Sequence, residues 1–128
     1  MKPTTAVSEV QQTWPSFNRE AFLARVNNEL DHVLELIELF LTIYPESLQG
    51  IEAAVRQQDA QAIREKAHQF KGALKFIHAD AATGAAQKLE QLGRTHQTDQ
   101  ATAAFSELVS QIEELARELR SYLAAAIR

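Results

Sequence analysis

The chain has no cysteine, and among its 128 residues there are only four glycines and three prolines. Without cysteine there is no disulfide framework and no thiolate chemistry, which fits a reducing cytoplasm. So little glycine and proline, beside abundant Ala, Leu, Glu and Gln, leaves few turn formers and points to an all-helical protein. Long apolar runs are missing too: Glu35 and Glu38 interrupt the longest one, and Met1-Lys2-Pro3-Thr4-Thr5 leads into polar residues without the apolar core of a secretory signal. Nor is there a basic surplus. A net charge of −4 argues against nucleic acid as the main partner, because phosphate backbones are bound by basic surfaces. What remains is a soluble, cytoplasmic, single-domain protein with no membrane contact by this segment. It is long enough for a real core and short for an enzyme with a nucleotide site.

Residues 1–13 carry no periodicity and read as a disordered leader or linker, so the domain is expected over 14–128. Trp14-Pro15 is expected to pack on one end of it, and Asn18 to cap a short helix holding Ala21, Phe22 and Val26. A helix over about 28–44 is apolar at Leu30, Val33, Leu34, Ile37, Phe40, Leu41 and Tyr44, with Leu36, Leu39 and Ile43 widening its face. Pro45 is expected to end or kink it, starting another helix with Leu48, Ile51 and Val55 inward. Asp59 and Asp80 are cap candidates for two further helices, and Gly93 fits a C-terminal end before a loop over 94–98. The last helix, from about Asp99, has the cleanest stripe: Phe105, Leu108, Ile112, Leu115, Leu119, Tyr122 and Ala126. Short connections between long amphipathic helices imply an antiparallel, up-down four-helix bundle with one or two short extra helices at the N-terminal side.

The most informative stretch is 63–77. Ile63, Ala67, Phe70, Leu74 and Ile77 recur at helical steps and form a buried stripe. At about 100° per residue, His68 lies well round from that stripe, with Lys71 and Gly72 one turn ahead and Arg64 one turn behind. Gly72 is costly, by roughly 1 kcal/mol relative to alanine inside a helix, and it falls almost opposite the stripe, so core packing does not explain it. An exposed imidazole, an ammonium three residues on and a glycine four residues on suit a phosphoryl group riding on histidine while a partner slides over the glycine. Between Ala60 and His78, Arg64, Lys66, Lys71 and Lys75 outweigh Glu65, a positive patch on an acidic chain that suits a phosphate-bearing acidic partner.

The run Ala67-His68-Gln69-Phe70-Lys71-Gly72-Ala73 resembles the A-H-x-[LIF]-K-G-[SA] signature of histidine-containing phosphotransfer domains, relay modules of bacterial two-component signalling. The similarity extends over roughly residues 17–125. It takes in Phe17 to Ala24, the apolar run ending near Pro45, the turn Gln57-Gln58-Asp59-Ala60, and Leu89-Glu90, where the family carries a hydrophobic residue followed by Glu or Gln. The sequence departs from the pattern at His78, where the family usually has glycine, and at Phe76, often small or polar. The resemblance implies that His68 takes a phosphoryl group from a receiver-domain aspartate and passes it to another. A neutral imidazole, available at pH 7 from an ordinary value of about 6.5, is what that step requires. Lys71 would offset phosphoryl charge, Glu90 would orient the ring, and Arg64, Gln69, Gly72 and Lys75 would belong to the docking surface. The implied partners are response-regulator receiver domains and an upstream hybrid sensor kinase, of which this segment could be the cytoplasmic C-terminal end. The protein would be a monomeric phosphocarrier rather than an enzyme, with no cofactor of its own; Mg2+ comes with the receiver.

Other classes explain less. Glu29-Leu30-Asp31-His32 and Glu65-Lys66-Ala67-His68 both have the Glu-x-x-His spacing of di-iron bundles, but both histidines project away from their apolar stripes, so no metal site is expected. A histidine-kinase dimerisation domain would show acidic and proline positions after the histidine that are missing here. A plain helical interaction module is the main alternative, and it leaves Gly72 without a cause; a chemotaxis-kinase phosphotransfer domain is a closer cousin.

Overall fold

Asn18 begins the first helix by accepting a hydrogen bond from the Ala21 N–H at 3.0 Å. In the computed structural model, which describes residues 14–126, that helix is α1 (Arg19–Arg25), followed by α2 (Leu30–Arg56), α3 (Ala60–Phe76), α4 (Asp80–Arg94) and α5 (Ala101–Ala126). A single 3-10 turn, Thr98–Gln100, precedes α5. The leader expected over 1–13 lies outside the described residues. The four long helices pack as α2 on α3, α3 on α4, α4 on α5 and α5 back on α2, which closes an up-down bundle with α1 laid over one end. There is no strand among the described residues.

The apolar stripes meet at the centre. All five stripe residues of the informative stretch, Ile63, Ala67, Phe70, Leu74 and Ile77, are buried, facing Val33, Ile37, Ile51, Leu89, Leu108, Ile112 and Leu115. Trp14 packs edge-on against Tyr122, and Phe17 joins them. The same end carries a buried carboxylate, Glu118, which accepts from both the N–H and the hydroxyl of Ser16 at 2.8 Å. Those two donors replace the water that the anion loses and tie the N-terminal segment to α5.

Pro45 does not end a helix. α2 runs 27 residues straight through it, so the separate helix expected from Pro45 is part of α2. A proline inside a helix costs about 3 kcal/mol. Ile37 and Phe40 before it and Ile51 and Val55 after it are all buried in one core, and each such side chain contributes about 1.5–3 kcal/mol. Packing on both sides outweighs the break, and Pro45 itself faces solvent. Three residues expected to face inward on α2 do not: Leu30, Leu39 and Ile43 are 42%, 55% and 42% exposed. At α4, Ala79 rather than Asp80 is the cap residue, and the helix runs to Arg94, one residue past the Gly93 expected at its end.

The first four helices stop in the same way although none has a glycine to stop it. The N–H of the third residue past each end reaches back to a carbonyl of the last turn: Asn28 to Leu23, Asp59 to Ala54, Ala79 to Leu74 and Gln97 to Leu92. The residue just before each is left-handed, at φ 58° for Asn27, 54° for Gln58, 57° for His78 and 57° for His96. This Schellman geometry ordinarily takes glycine, because a Cβ crowds the carbonyl there. Asp59 and Ala79 are at once the closing residue of one helix and the cap of the next, which keeps the connections short and the neighbours antiparallel. His78 thus stands, in the left-handed conformation that suits glycine, where the resemblance led one to expect glycine. Its Nε2 accepts from Arg25 Nε at 3.3 Å, Arg25 lies 5.1 Å over the Phe76 ring, and Phe76 meets Phe22 edge-on, so both departures from the family pattern hold α1 against α3.

Replacing His78 by glycine should relieve the left-handed strain and raise the free energy of unfolding by about 0.5–1 kcal/mol, after the loss of one exposed hydrogen bond and the greater freedom of the unfolded chain. Urea unfolding of wild type and His78→Gly measures it; an unchanged or lower midpoint would mean that the Arg25 and Phe76 contacts outweigh the strain.

Candidate functional site

α3 presents His68 near its middle, and α4 runs antiparallel beside it, bringing Glu90 underneath the ring. His68 Nδ1 lies 2.9 Å from Glu90 Oε2, while 65% of the histidine side chain remains exposed. The Glu90 side chain is only 5% exposed. An ionised carboxylate can only accept, so the hydrogen of this bond sits on Nδ1 and the lone pair of the other nitrogen, Nε2, is left free. That is a fixed ring with one nitrogen held inward and the other turned to solvent as a nucleophile.

Two cations share the carboxylate. Lys71 Nζ is 2.7 Å from Oε1 as an ion pair, and Arg94 donates from Nη2 to Oε2 at 3.0 Å and from Nη1 to Gln91 at 2.6 Å. Burial by itself pushes the Glu90 carboxyl upward, but hydrogen bonding and charge from Lys71 and His68 outweigh it and hold the group below its ordinary range. The lysine ammonium is therefore not free in solvent beside the histidine, as its spacing suggested; it is 17% exposed and tied to the residue that orders the ring.

A cleft of about 300 Å³ beside the ring is lined by Arg64, Glu65, His68, Gln69, Glu90 and Arg94. Two arginines and an exposed nucleophilic nitrogen around a small cleft form a setting for a phosphoryl-sized anion. On the other side of Gln69, a groove of about 370 Å³ between α2 and α3 is lined by Ile43, Glu46, Ser47, Gly50, Lys66, Phe70 and Ala73. Gly72 and Lys75 continue the exposed face of α3, and a Cβ on Gly72 would meet nothing within 4 Å. Nothing among the described residues requires that glycine.

The structure thus brings together His68, Lys71 and Glu90, places Arg64 and Gln69 around the same cleft, and leaves Gly72 and Lys75 on the surface one and two turns along. Arg94 is the residue that sequence reading missed. Its signal was present in the spacing, since Glu90 and Arg94 are four apart on one helix and such pairs meet. Of the two Glu-x-x-His repeats, Glu29 and His32 pair with each other at 2.9 Å on the exposed start of α2, and no group of three or more metal-ligating side chains gathers among the described residues. No helix among those residues is long and apolar enough to cross a membrane.

Comparison with known proteins gives one consistent result. Residues 35–124 match the family model described as Hpt domain. No curated protein matches the sequence. Among solved structures, histidine-containing phosphotransfer protein B from Pseudomonas aeruginosa PAO1 superposes with a TM-score of 0.81 at 22% identity, over 88% of this chain and 98% of that one. The HPT domain of an Hpt sensor hybrid histidine kinase from Shewanella does so with a TM-score of 0.77 at 18% identity, over 88% and 97%. At such identity the two structures establish the shared helical bundle, and the family match carries the rest.

The depressed Glu90 carboxyl makes a prediction about acid. Its folded value lies below the ordinary 4.5, so the ionised group stabilises the fold at neutral pH. That contribution fades as the pH drops from 4.5 through the folded value. Glu90→Gln should be less stable than wild type near pH 7 yet lose less on acidification, which thermal unfolding across pH 7 to 3 reads directly. Parallel acid slopes for the two proteins would show that another carboxylate carries the acid sensitivity.

Proposed function

The chain belongs to the Hpt domain family and carries phosphoryl groups in a two-component phosphorelay; we propose that it does so through a phosphohistidine formed on Nε2 of His68. The observation that carries this reading is the His68–Glu90 bond, which fixes the ring and leaves Nε2 exposed as a nucleophile. In the step itself the Nε2 lone pair attacks the phosphorus of a receiver's aspartyl phosphate, a P–N bond forms, the P–O bond breaks, and the aspartate leaves as a carboxylate. No proton has to depart: Nδ1 keeps its hydrogen, and the positive charge that the ring acquires lies against the Glu90 carboxylate. Transfer onward to a second receiver is the same step in reverse.

The phosphoryl oxygens add negative charge at the mouth of the cleft, where Lys71, Arg94 and Arg64 supply the balancing cations. Lys71 and Arg94 begin on Glu90, so each is held within reach while the charge is absent. The bundle has no group of its own that activates a phosphate ester; the Mg2+ that steadies the transferring group comes with the receiver, and the protein is a carrier rather than an enzyme. Gln69, Gly72 and Lys75, with Arg64, form the ground on which the receiver sits, and the open space over Gly72 supports close approach there. On this reading the protein works as a monomer in the cytoplasm.

Incubation with receiver domains kept phosphorylated by their kinases in the presence of Mg2+ should put an acid-labile, base-stable label on wild type and none on His68→Gln. Label persisting on the variant would move the phosphoacceptor elsewhere. Gly72→Gln should fold at least as stably as wild type, gaining up to about 1 kcal/mol from removal of the helix glycine. It should nevertheless take the label from the receiver several-fold more slowly, because a long side chain now stands where the partner approaches. Unchanged transfer would remove Gly72 from the docking surface.

A further inference from the structure

Gly93 on α4 is fully helical and has no positive φ, so conformational freedom does not account for it. Space does. A Cβ built there would lie 2.7 Å from the Ala60 carbonyl oxygen, 2.7 Å from the Arg64 nitrogen and 3.0 Å from the Arg64 Cα. These are backbone atoms of the first turns of α3, which cannot rotate aside as a side chain could. The contrast within the chain is sharp, because Gly72 on α3 and Gly84 on α4 have nothing within 4 Å. Gly93 is where the two backbones touch, three residues past Glu90, against the stretch of α3 one turn before His68.

We propose that Gly93 is a positioning residue for phosphoryl transfer: the backbone contact it permits sets the α3–α4 separation at which the Glu90 carboxylate reaches His68 Nδ1. This rests on the reading of His68 as phosphoacceptor. Ordinary contact begins at 3.4 Å, so a side chain at 93 must open the helices by about 0.7 Å from the 2.7 Å that its Cβ would otherwise have. Added to the 2.9 Å of the Nδ1 to Oε2 bond, that gives about 3.6 Å, too long for a hydrogen bond. Glu90 has little freedom to follow, since its side chain is 5% exposed and Arg94, on the same helix, holds its Oε2 at 3.0 Å. Gly93 touches neither the phosphoryl group nor the ring; it acts through Glu90.

The test needs no cognate receiver. Phosphoramidate donates its phosphoryl group to an imidazole nitrogen and leaves as ammonia, so the rate of phosphohistidine formation can be followed by 31P NMR, with the 15N signals of the His68 ring reporting whether Nδ1 carries the hydrogen. Four chains decide the matter: Gly93→Ala, Glu90→Ala, the double variant, and Gly84→Ala as a control in open space. Gly93→Ala should slow phosphorylation on the order of tenfold and weaken the Nδ1–H signature. The double variant should be no slower than Glu90→Ala alone, and Gly84→Ala should match wild type. Losses that multiply in the double variant, or a wild-type ring signature in Gly93→Ala, would overturn the proposal.

If Gly93→Ala does not fold, Glu90→Asp decides instead by shortening the carboxylate's reach at the native helix spacing. Loss of the ring signature then supports a spacing without slack, and its full retention overturns the proposal. Wild type that takes no phosphoryl group from phosphoramidate would count against His68 as phosphoacceptor, whereas the ring signals would still decide whether Gly93 sets the Glu90 bond.

Discussion

One buried carboxylate organises the functional face of this bundle. Glu90 holds an imidazole and a lysine from α3 and an arginine from its own helix, with contacts between 2.7 and 3.0 Å. An ionised carboxylate stripped of water without partners is strongly unfavourable, and only close, well-directed donors offset that cost. The requirement runs both ways: α4 must lie close enough to α3 for the donors to reach, and the donors must be fixed for α4 to bury the charge there. Gly93 makes the approach possible, and Ala82, Ala86 and Leu89 keep the same face of α4 small or apolar along the contact. An imidazole that protrudes from a helix is thereby given a single orientation without being buried. On the proposed function, the exposure that a docking partner needs and the order that a transfer step needs are met by different nitrogens of one ring.

The turns follow a comparable logic of compensation. A chain with four glycines ends four helices in left-handed residues, and none of those residues is a glycine. Asn27 tolerates that conformation because of its short polar side chain. Gln58 and His78 occupy it where the next helix starts immediately, capped at Asp59 and Ala79, and His96 occupies it just before the 3-10 turn that leads into α5. At His78 the strained position also serves α1, whose Asn18 N–H donates to the His78 carbonyl at 2.9 Å while Arg25 reaches its ring. The short N-terminal helix therefore depends on the very residue at which the chain leaves the family pattern.

Much of this was legible in the residues. The stripe Ile63, Ala67, Phe70, Leu74 and Ile77 is local information, since the period of a helix follows from backbone geometry and needs no partner. The exposed side of His68 and the lack of an internal cause for Gly72 follow from that period alone. Pro45 misled, because its penalty is also local whereas the packing that overrides it lies on three other helices. Leu39 and Ile43 read as core for a similar reason: apolar character says that a side chain can be buried, not that a neighbour is there to bury it.

The sequence by itself determined the four long amphipathic helices, the chemistry available on the exposed face of α3, and the charge that surrounds it, because these depend on spacings of three and four residues along one helix. Only the tertiary structure decided that Lys71 lies on Glu90 instead of in solvent, and that Gly93, in the last turn of α4, is a contact between backbones. Each of those facts is a distance across the gap between α3 and α4. That gap is set by the packing of every layer of the bundle, and no spacing along the chain encodes it.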